Sequence, residues 1–264
     1  MNVFRDQYLD KDGNDVRPIV VNVGNMNPPT ETEPGLLTID NVETVFHEFG
    51  HGLHGLLTKC AYKSVSGTSV KRDFVETFSQ FNENWAFQPE ILAMYAKHYQ
   101  TGEVIPDSLV AKINNSRKFN QGFMTAELCA ASILDMKWHE LTLEDLAKMS
   151  EGDQAANVAA FEDKVCKEMG LPGEIIPRYR TTYFNHIFNS GYSAGYYSYL
   201  WAEVLDKDAF EYFEENGIYN PAVAAKFRQT FLERGGSEEP MVLYMMFRRA
   251  QPDPGALLRA RGLE

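Results

Sequence analysis

The residues best suited to chemistry form the run His47-Glu48-Phe49-Gly50-His51. On a helix, positions four apart differ by about 40° around the axis, so His47 and His51 can direct two imidazoles at one metal ion. Glu48 is offset by one residue and can hold a water molecule without ligating the ion. In this HExxH arrangement zinc lowers the pKa of its water and the glutamate removes the proton. The spacing therefore predicts zinc-assisted hydrolysis with Glu48 as the general base.

A helix must carry this run, and the flanking residues predict one. Asp40 and Glu43 have the spacing of a capping box, which predicts a helix from Asn41 to about Thr58. His54 lies about one turn beyond His51, and we interpret it as a packed or hydrogen-bonded histidine rather than a ligand. Apolar residues recur at helical spacing through this stretch: Val42, Val45, Phe46, Phe49, Leu53, Leu56 and Leu57.

The third metal ligand must come from elsewhere in the chain. The extended motif HExxHxxGxxH requires glycine at position 54 and histidine at position 57, whereas this chain has His54 and Leu57, which excludes that class. A second helix is predicted over residues 72–85, and it contains Glu76 and Glu83. Its aromatic residues form a core-facing stripe at helical spacing: Phe74, Phe78, Phe81 and Trp85.

Two interpretations of Glu76 fit its position. It can be the third ligand, supplied by a helix that returns towards His51, or it can close the start of its own helix, because Asp73 and Glu76 have capping-box spacing. The residues alone leave both interpretations open. Glu83 is the alternative ligand, or a carboxylate that orients one of the imidazoles.

A segment rich in glycine and tyrosine, residues 184–201, is the second candidate site. Tyr192, Tyr196 and Tyr199 share one face if the segment is helical. A tyrosine hydroxyl, with an ordinary pKa near ~10, remains a donor at neutral pH and can stabilise the oxyanion of peptide hydrolysis. A tyrosine stripe can also pack a core with its hydroxyls at the rim, and the spacing does not separate the two interpretations.

The order of local patterns predicts a mainly α fold with a small β-sheet near the N-terminus. The first 36 residues indicate turns and short strands, including a strand over residues 17–24 after a turn at Asp12-Gly13-Asn14. Helical signals dominate from residue 40 onwards. No repeat or linker divides the chain, so residues 1–264 are predicted to form a single catalytic domain. Further helices are predicted over residues 89–100, 155–169 and 194–216.

Composition excludes several classes of partner. The 264 residues carry a formal net charge of −12, which argues against nucleic acid and anionic membranes, since both favour clustered lysine and arginine. No apolar run reaches the ~18 residues of a membrane span. Cys60, Cys129 and Cys166 form neither a disulfide framework nor a thiolate zinc site, so we expect a reducing, cytoplasmic location.

Taken together, the motifs resemble the thimet oligopeptidase, oligopeptidase A and bacterial peptidyl-dipeptidase family. The resemblance runs through nearly the whole chain and implies a zincin-like catalytic domain in which His47, His51 and Glu76 bind one zinc ion. It thereby favours the ligand interpretation of Glu76. Phe78 is a departure, because the family usually has proline there. Four segments carry the resemblance: His47-Glu48-Phe49-Gly50-His51, Ser66-Gly67-Thr68, Arg72-Asp73-Phe74-Val75-Glu76 and Glu83-Asn84-Trp85.

The same resemblance implies roles for the segment rich in glycine and tyrosine in substrate binding and transition-state stabilisation. His186 and Tyr199 become candidate catalytic residues beside Glu48. Tyr192, Tyr196 and Gly191 become candidate substrate contacts, and the glycine would let the segment close over a substrate.

Within that family, residues 186–201 are most similar to the bacterial branch. The resemblance implies zinc-dependent release of C-terminal dipeptides from short peptides. We expect the protein to be a monomer and the substrate backbone to pair with an edge strand near residues 19–23. The alternatives are an oligopeptidase that cleaves internal bonds, another zinc hydrolase, and a peptide-binding chain that holds metal without turnover. Family members are much longer and have an N-terminal helical portion that forms the other wall of a deep channel. We therefore expect this chain to be the C-terminal catalytic part.

Overall fold

The computed structural model describes residues 1–264 and is dominated by helices. Two separate antiparallel strand pairs lie at the N-terminus: β1 (Asn2–Arg5) with β4 (Ile19–Val21), and β2 (Tyr8–Leu9) with β3 (Asp15–Val16). The mainly α prediction is confirmed, although two small sheets replace the single one expected. Twelve α-helices follow: α1 (Ile39–Leu57), α2 (Arg72–Glu83), α3 (Pro89–Tyr95), α4 (Asp107–Arg117), α5 (Gln121–His139), α6 (Leu143–Met149), α7 (Gln154–Glu168), α8 (Asn185–Asn189), α9 (Ser198–Asn216), α10 (Pro221–Phe227), α11 (Pro240–Arg248) and α12 (Pro254–Arg261).

Helix α1 begins two residues earlier than predicted, and its capping box was assigned to the wrong pair. The Thr38 hydroxyl accepts a hydrogen bond from the Asn41 backbone amide at 3.1 Å, and the Asn41 side-chain oxygen accepts one from the Thr38 amide. Thr38 has the extended backbone of an N-cap, whereas Asp40 already lies in the first helical turn. Glu43 pairs instead with Arg117 of α4.

Helices α1 and α2 cross in unusually close contact because Gly50 has no side chain. A Cβ atom at Gly50 would lie 2.6 Å from the Phe78 carbonyl oxygen and 2.7 Å from the Ser79 Cα. The side-chain amide of Asn82 on α2 also donates a hydrogen bond to the backbone carbonyl of Phe46 on α1 at 2.7 Å. The glycine inside the HExxH run therefore lets α2 approach the face of α1 that carries the histidines.

Strand β4 packs against the other side of α1. Val20 faces Gly55, where a Cβ atom would lie 3.0 Å from a Val20 methyl group. The predicted turn is present, with Gly13 at a φ of 81°, but the strand predicted over residues 17–24 ends at Val21. Val23, 82% exposed, lies beyond it.

The main core holds α2 in place. Phe81 stacks on Phe227 of α10 with ring centroids 4.2 Å apart, and Phe78 packs on Phe231 at 5.6 Å. Three residues of the predicted aromatic stripe, Phe74, Phe78 and Phe81, are buried in α2. Trp85, the fourth, lies beyond the end of α2 at Glu83 and is half-buried. The buried residues of this core come from α2, α9, α10, the following π-helical turn (Arg228–Leu232) and α11: Phe74, Phe78, Phe81, Leu205, Ala209, Phe210, Phe213, Val223, Phe227, Phe231, Leu232, Leu243, Tyr244 and Phe247.

Several predicted helix limits need correction. Helix α3 ends at Tyr95 rather than at residue 100, because Lys97 and Val104 form an isolated antiparallel bridge and the chain turns back between them. Helix α9 begins at Ser198 rather than at residue 194, since Gly191 and Ala194 have positive φ values of 79° and 51°, which no α-helix contains. No helix combines the length and the apolar character that crossing a membrane requires.

Candidate metal centre

Three predicted ligands converge on one point between α1 and α2. The Nε2 atoms of His47 and His51 each lie 3.2 Å from the same Glu76 carboxylate oxygen, Oε2. One potential ligand atom from each residue lies within 4.8 Å of the other two. Donors bound at about 2.0–2.1 Å to a tetrahedral zinc ion are separated by roughly 3.3 Å. The donor set and its spacing therefore fit a zinc ion, with a fourth position for water or substrate.

Glu76 does not close the start of α2. That helix begins at Arg72 after Lys71, which makes no side-chain capping bond. The Glu76 side chain is buried, and the Ser79 hydroxyl donates to its Oε2 at 2.9 Å. Burial alone would raise the pKa of Glu76, but hydrogen bonds from His47 and His51 lower it well below the usual range. The carboxylate is held ionised, as a metal ligand requires.

Glu83 orients the first histidine. Its Oε1 lies 2.6 Å from Nδ1 of His47, the nitrogen that faces away from Glu76. Burial disfavours the charged ring, yet hydrogen bonds to Glu76 and Glu83 raise the pKa of His47 to about 10 when no metal competes for the ring. Because Glu83 occupies Nδ1, Nε2 is the nitrogen left for a metal, an arrangement common around zinc-bound histidines. His51 has no such partner, since its Nδ1 is buried without a hydrogen bond.

Glu48 lies beside this group on α1, with its side chain 30% exposed. Its carboxylate contacts the amino group of Met1, where the chain enters β1. The residue that precedes β1 therefore lies beside the predicted general base.

His54 is a packed histidine, as the sequence predicted. It is fully buried, and its ring centroid lies 4.2 Å from that of Phe78. Neither ring nitrogen has a hydrogen-bond partner. Burial lowers the pKa of His54 to about 3, with a smaller contribution from His51. Phe78 thus covers a neutral imidazole that lies outside the group of ligands.

Replacing His54 with leucine should leave metal binding intact and make the protein less sensitive to acid. His54 stays neutral in the folded state while the unfolded chain gains a proton below its ordinary pKa of about 6.5. The contribution of His54 to the free energy of unfolding is therefore fully present above pH ~6.5. It falls as the pH drops towards 3, by at most about 1.4 kcal/mol per pH unit. Denaturant unfolding measures the free energy of unfolding at pH 7.5 and at pH 5.0. Between these two values, the free energy of unfolding of His54→Leu should fall by about 2 kcal/mol less than that of the wild type.

A suitable control is His98→Leu, because His98 is exposed. The prediction is wrong if both variants follow the wild-type pH dependence, or if His54→Leu loses metal.

The tyrosines do not share a helical face, but tertiary packing brings them together. Between α8 and α9 the chain forms turns, and the Tyr199 ring lies 5.2 Å from Tyr192 and 5.1 Å from Tyr196. The Tyr192 hydroxyl donates to Oε1 of Glu76, so this cluster adjoins the ligands directly. Tyr196 is only 2% exposed and packs on Phe184, as the core-packing interpretation expected.

His186 completes the aromatic cluster, with its ring 6.1 Å from that of Tyr199. Burial and the nearby Arg178 lower the pKa of His186, so the ring is neutral at pH 7. Burial and the Glu76 carboxylate raise the pKa of Tyr192 to about 12, and the same causes raise that of Tyr199 further. At neutral pH both hydroxyls remain protonated and able to donate.

Two contacts to this site were not predicted from the sequence. Ser79 bonds Glu76, and its position one turn after Glu76 was a usable signal. Arg72 lies over the Tyr192 ring, 4.6 Å from the centroid, and a Cβ atom at Gly191 would come within 3.4 Å of its guanidinium. No local pattern indicated the second contact, since it joins residues 120 positions apart along the chain (192 − 72).

The chain is similar to known proteins over nearly its whole length. Residues 1–263 match the model of peptidase family M3. Dipeptidyl carboxypeptidases of Escherichia coli and Salmonella typhimurium are 44% and 41% identical to this chain in alignments that cover 95% of it. Each alignment covers 36% of the relative's own length. Oligopeptidase A of Salmonella typhimurium is 40% identical in an alignment that covers 98% of this chain and 37% of the relative. The chain thus spans little more than a third of these relatives' length. It belongs to peptidase family M3, a family of metallopeptidases.

Proposed function

We propose that this chain forms a catalytic unit that hydrolyses short peptides with one zinc ion held by His47, His51 and Glu76. The observation that carries the proposal is the convergence of both imidazoles on one buried carboxylate oxygen, at 3.2 Å each, beside Glu48. When bound there, zinc supplies a Lewis acid that polarises a carbonyl and acidifies water.

Each residue near the metal then has a definite role. Glu48, partly exposed at the edge of the site, takes the proton of the attacking water and passes it to the leaving amine. The Tyr199 hydroxyl donates to the developing oxyanion, and the neutral His186 ring supports it. Tyr192 and Gly191 face the substrate. The buried Tyr196 contributes by packing against Tyr199.

The substrate backbone pairs with the edge of β4 and its extension, near residues 19–23. Strand β4 is hydrogen-bonded on one side to β1, and Val20 fixes it against Gly55 of α1. An extended peptide can add to such an edge through main-chain hydrogen bonds. Pairing of this kind recognises any peptide sequence, since only side-chain pockets discriminate between residues.

We further propose release of C-terminal dipeptides, the specificity that the names of the bacterial relatives suggest. Such an enzyme needs a cation for the terminal carboxylate. Arg180 is engaged by the buried Glu162, with Nε and Oε1 2.5 Å apart. Arg178 forms no ion pair, and it lies close enough to His186 for its charge to lower the pKa of that ring. Arg178 is therefore the better candidate.

The mode of cleavage can be tested with two N-acetylated peptides that differ only in a free or amidated C-terminus. Mass spectrometry should show successive dipeptide release from the free peptide. Loss of one charge-assisted contact should slow cleavage of the amide about 10–100-fold. Equal cleavage of internal bonds in both would instead identify an oligopeptidase. Absence of cleavage by the zinc-loaded chain would instead support the alternative that the chain holds metal and binds peptides without turnover.

We propose a monomer that works in the cytoplasm. Its three cysteines are free, which suits a reducing compartment. The net charge of −12 fits peptides rather than nucleic acid as partners.

A further inference from the structure

The segment between α8 and α9, residues 190–197, has no regular secondary structure. It contains Tyr192 and Tyr196 and leads directly into α9, whose second residue is Tyr199. Ala194 has a φ of 51°, a conformation that costs an alanine energy and that glycine adopts freely. The segment is tightened by a hydrogen bond from the Gly195 amide to the Tyr192 carbonyl at 2.8 Å. A conformation of this kind persists only where surrounding contacts hold it.

Asp135 of α5 provides those contacts. Its carboxylate is completely buried and accepts hydrogen bonds from the Ala194 amide at Oδ1 and from the Tyr196 amide at Oδ2, both at 2.9 Å. Nδ1 of His139 lies 2.9 Å from Oδ1. Two of the carboxylate's three partners are thus backbone amides of the segment, including that of the residue with positive φ.

On the side away from Asp135, the segment contacts α2. Arg72 lies over the Tyr192 ring, and the Tyr197 hydroxyl donates to Asp73 at 3.1 Å. The segment is therefore fixed between α5 and α2, and α2 also supplies Glu76. Exposed contacts such as the one to Asp73 are individually weak, whereas hydrogen bonds to a buried charge are strong. Asp135 is the dominant anchor.

We propose that Asp135 is a positioning residue that acts through the backbone of residues 194–196. It holds the Tyr192 hydroxyl, and the start of α9 with Tyr199, at the metal centre. This inference rests on the proposed peptidase function for its catalytic consequence, but not for its structural one. Asp135 touches neither substrate nor metal ligand, and it acts through the two amides.

The structural test is amide hydrogen exchange in Asp135→Asn, with Asp208→Asn as the matched control. Asp208 is equally buried and is hydrogen-bonded by Tyr244 and Arg248, away from the segment. We expect exchange across residues 190–197 to rise about tenfold or more in Asp135→Asn only, since one amide loses its acceptor. Equal exchange in both variants would overturn the proposal.

The catalytic test compares kcat with KM in the zinc-loaded variants. A misplaced hydroxyl should lower kcat about 10–100-fold with little change in KM, while zinc content stays equal to wild type. Adding Ala194→Gly to Asp135→Asn should restore part of kcat, because glycine adopts the positive φ without strain. A fall in kcat equal to that of Asp208→Asn, without rescue by the glycine, would show a merely structural role.

Two further outcomes are also decisive. If Asp135→Asn does not fold, residue-resolved exchange in the wild type still tests the anchor: the Ala194 and Tyr196 amides should be protected, and their exchange at the rate of unstructured backbone would refute it. If the wild-type chain cleaves no peptide, the proposed peptidase function is wrong. The hydrogen-exchange result still decides separately whether Asp135 anchors the segment.

Discussion

Replacing Glu48 with glutamine should lower kcat for peptide hydrolysis by about 10²–10⁴-fold and leave zinc content unchanged. Glutamine has nearly the same shape, but it cannot take a proton from water or deliver one to the leaving amine. Glu48 donates no atom to the converging group of His47, His51 and Glu76, so the metal should remain. Initial rates on a short fluorogenic peptide, with zinc measured on the same samples, provide the data.

The control for this variant is Glu43→Gln on the same helix. Glu43 has a similar side-chain exposure, 27% against 30%, and its carboxylate pairs with Arg117 of α4 rather than with a metal ligand. It should retain far more of kcat than Glu48→Gln, because Glu43 is neither a metal ligand nor the predicted general base. Wild-type turnover by Glu48→Gln would remove Glu48 from the mechanism.

Removing the Tyr199 hydroxyl should have the second largest effect on catalysis. Loss of one oxyanion donor costs about 10²–10³ in kcat, and because the donor acts mainly on the transition state, KM should change little. The Tyr199→Phe variant keeps the ring that packs on Tyr192 and Tyr196. Steady-state kinetics with the same peptide measure the effect.

Tyr197→Phe is the matched control, because its hydroxyl bonds Asp73 rather than facing the ligands. If the two phenylalanine variants show equal kcat, the oxyanion role belongs to another donor, and His186 is then the next residue to replace.

The metal site was predictable where one helix carries it. His47, Glu48 and His51 follow from helical periodicity alone, because their relative directions depend only on residues per turn. Glu76 was ambiguous because its spacing from Asp73 is that of a capping box, so the same residue could cap its helix or bind the metal. The ambiguity is resolved by Gly50, whose missing side chain lets the two helices approach until both histidines meet one carboxylate.

The segment that carries the tyrosines was predicted less well. A run containing Tyr192, Tyr196 and Tyr199 has helical spacing, yet Gly191 and Ala194 take positive φ values that end any helix. The partner that stabilises this conformation, Asp135, lies about 60 residues earlier, and its contacts are to backbone amides. Backbone amides occur at every residue, so no side-chain pattern identifies them in advance.

The most direct test of the account is the zinc content of the purified wild-type chain beside that of His51→Ala, after equilibration with zinc and removal of the unbound metal. The geometry predicts about one zinc per wild-type chain and its loss in the variant, because two remaining ligands hold zinc poorly. His54→Leu serves as the histidine control and should bind zinc like wild type. A wild-type chain that folds but binds no zinc, or a His51→Ala variant that binds it equally well, would contradict the assignment of His47, His51 and Glu76 as a metal centre.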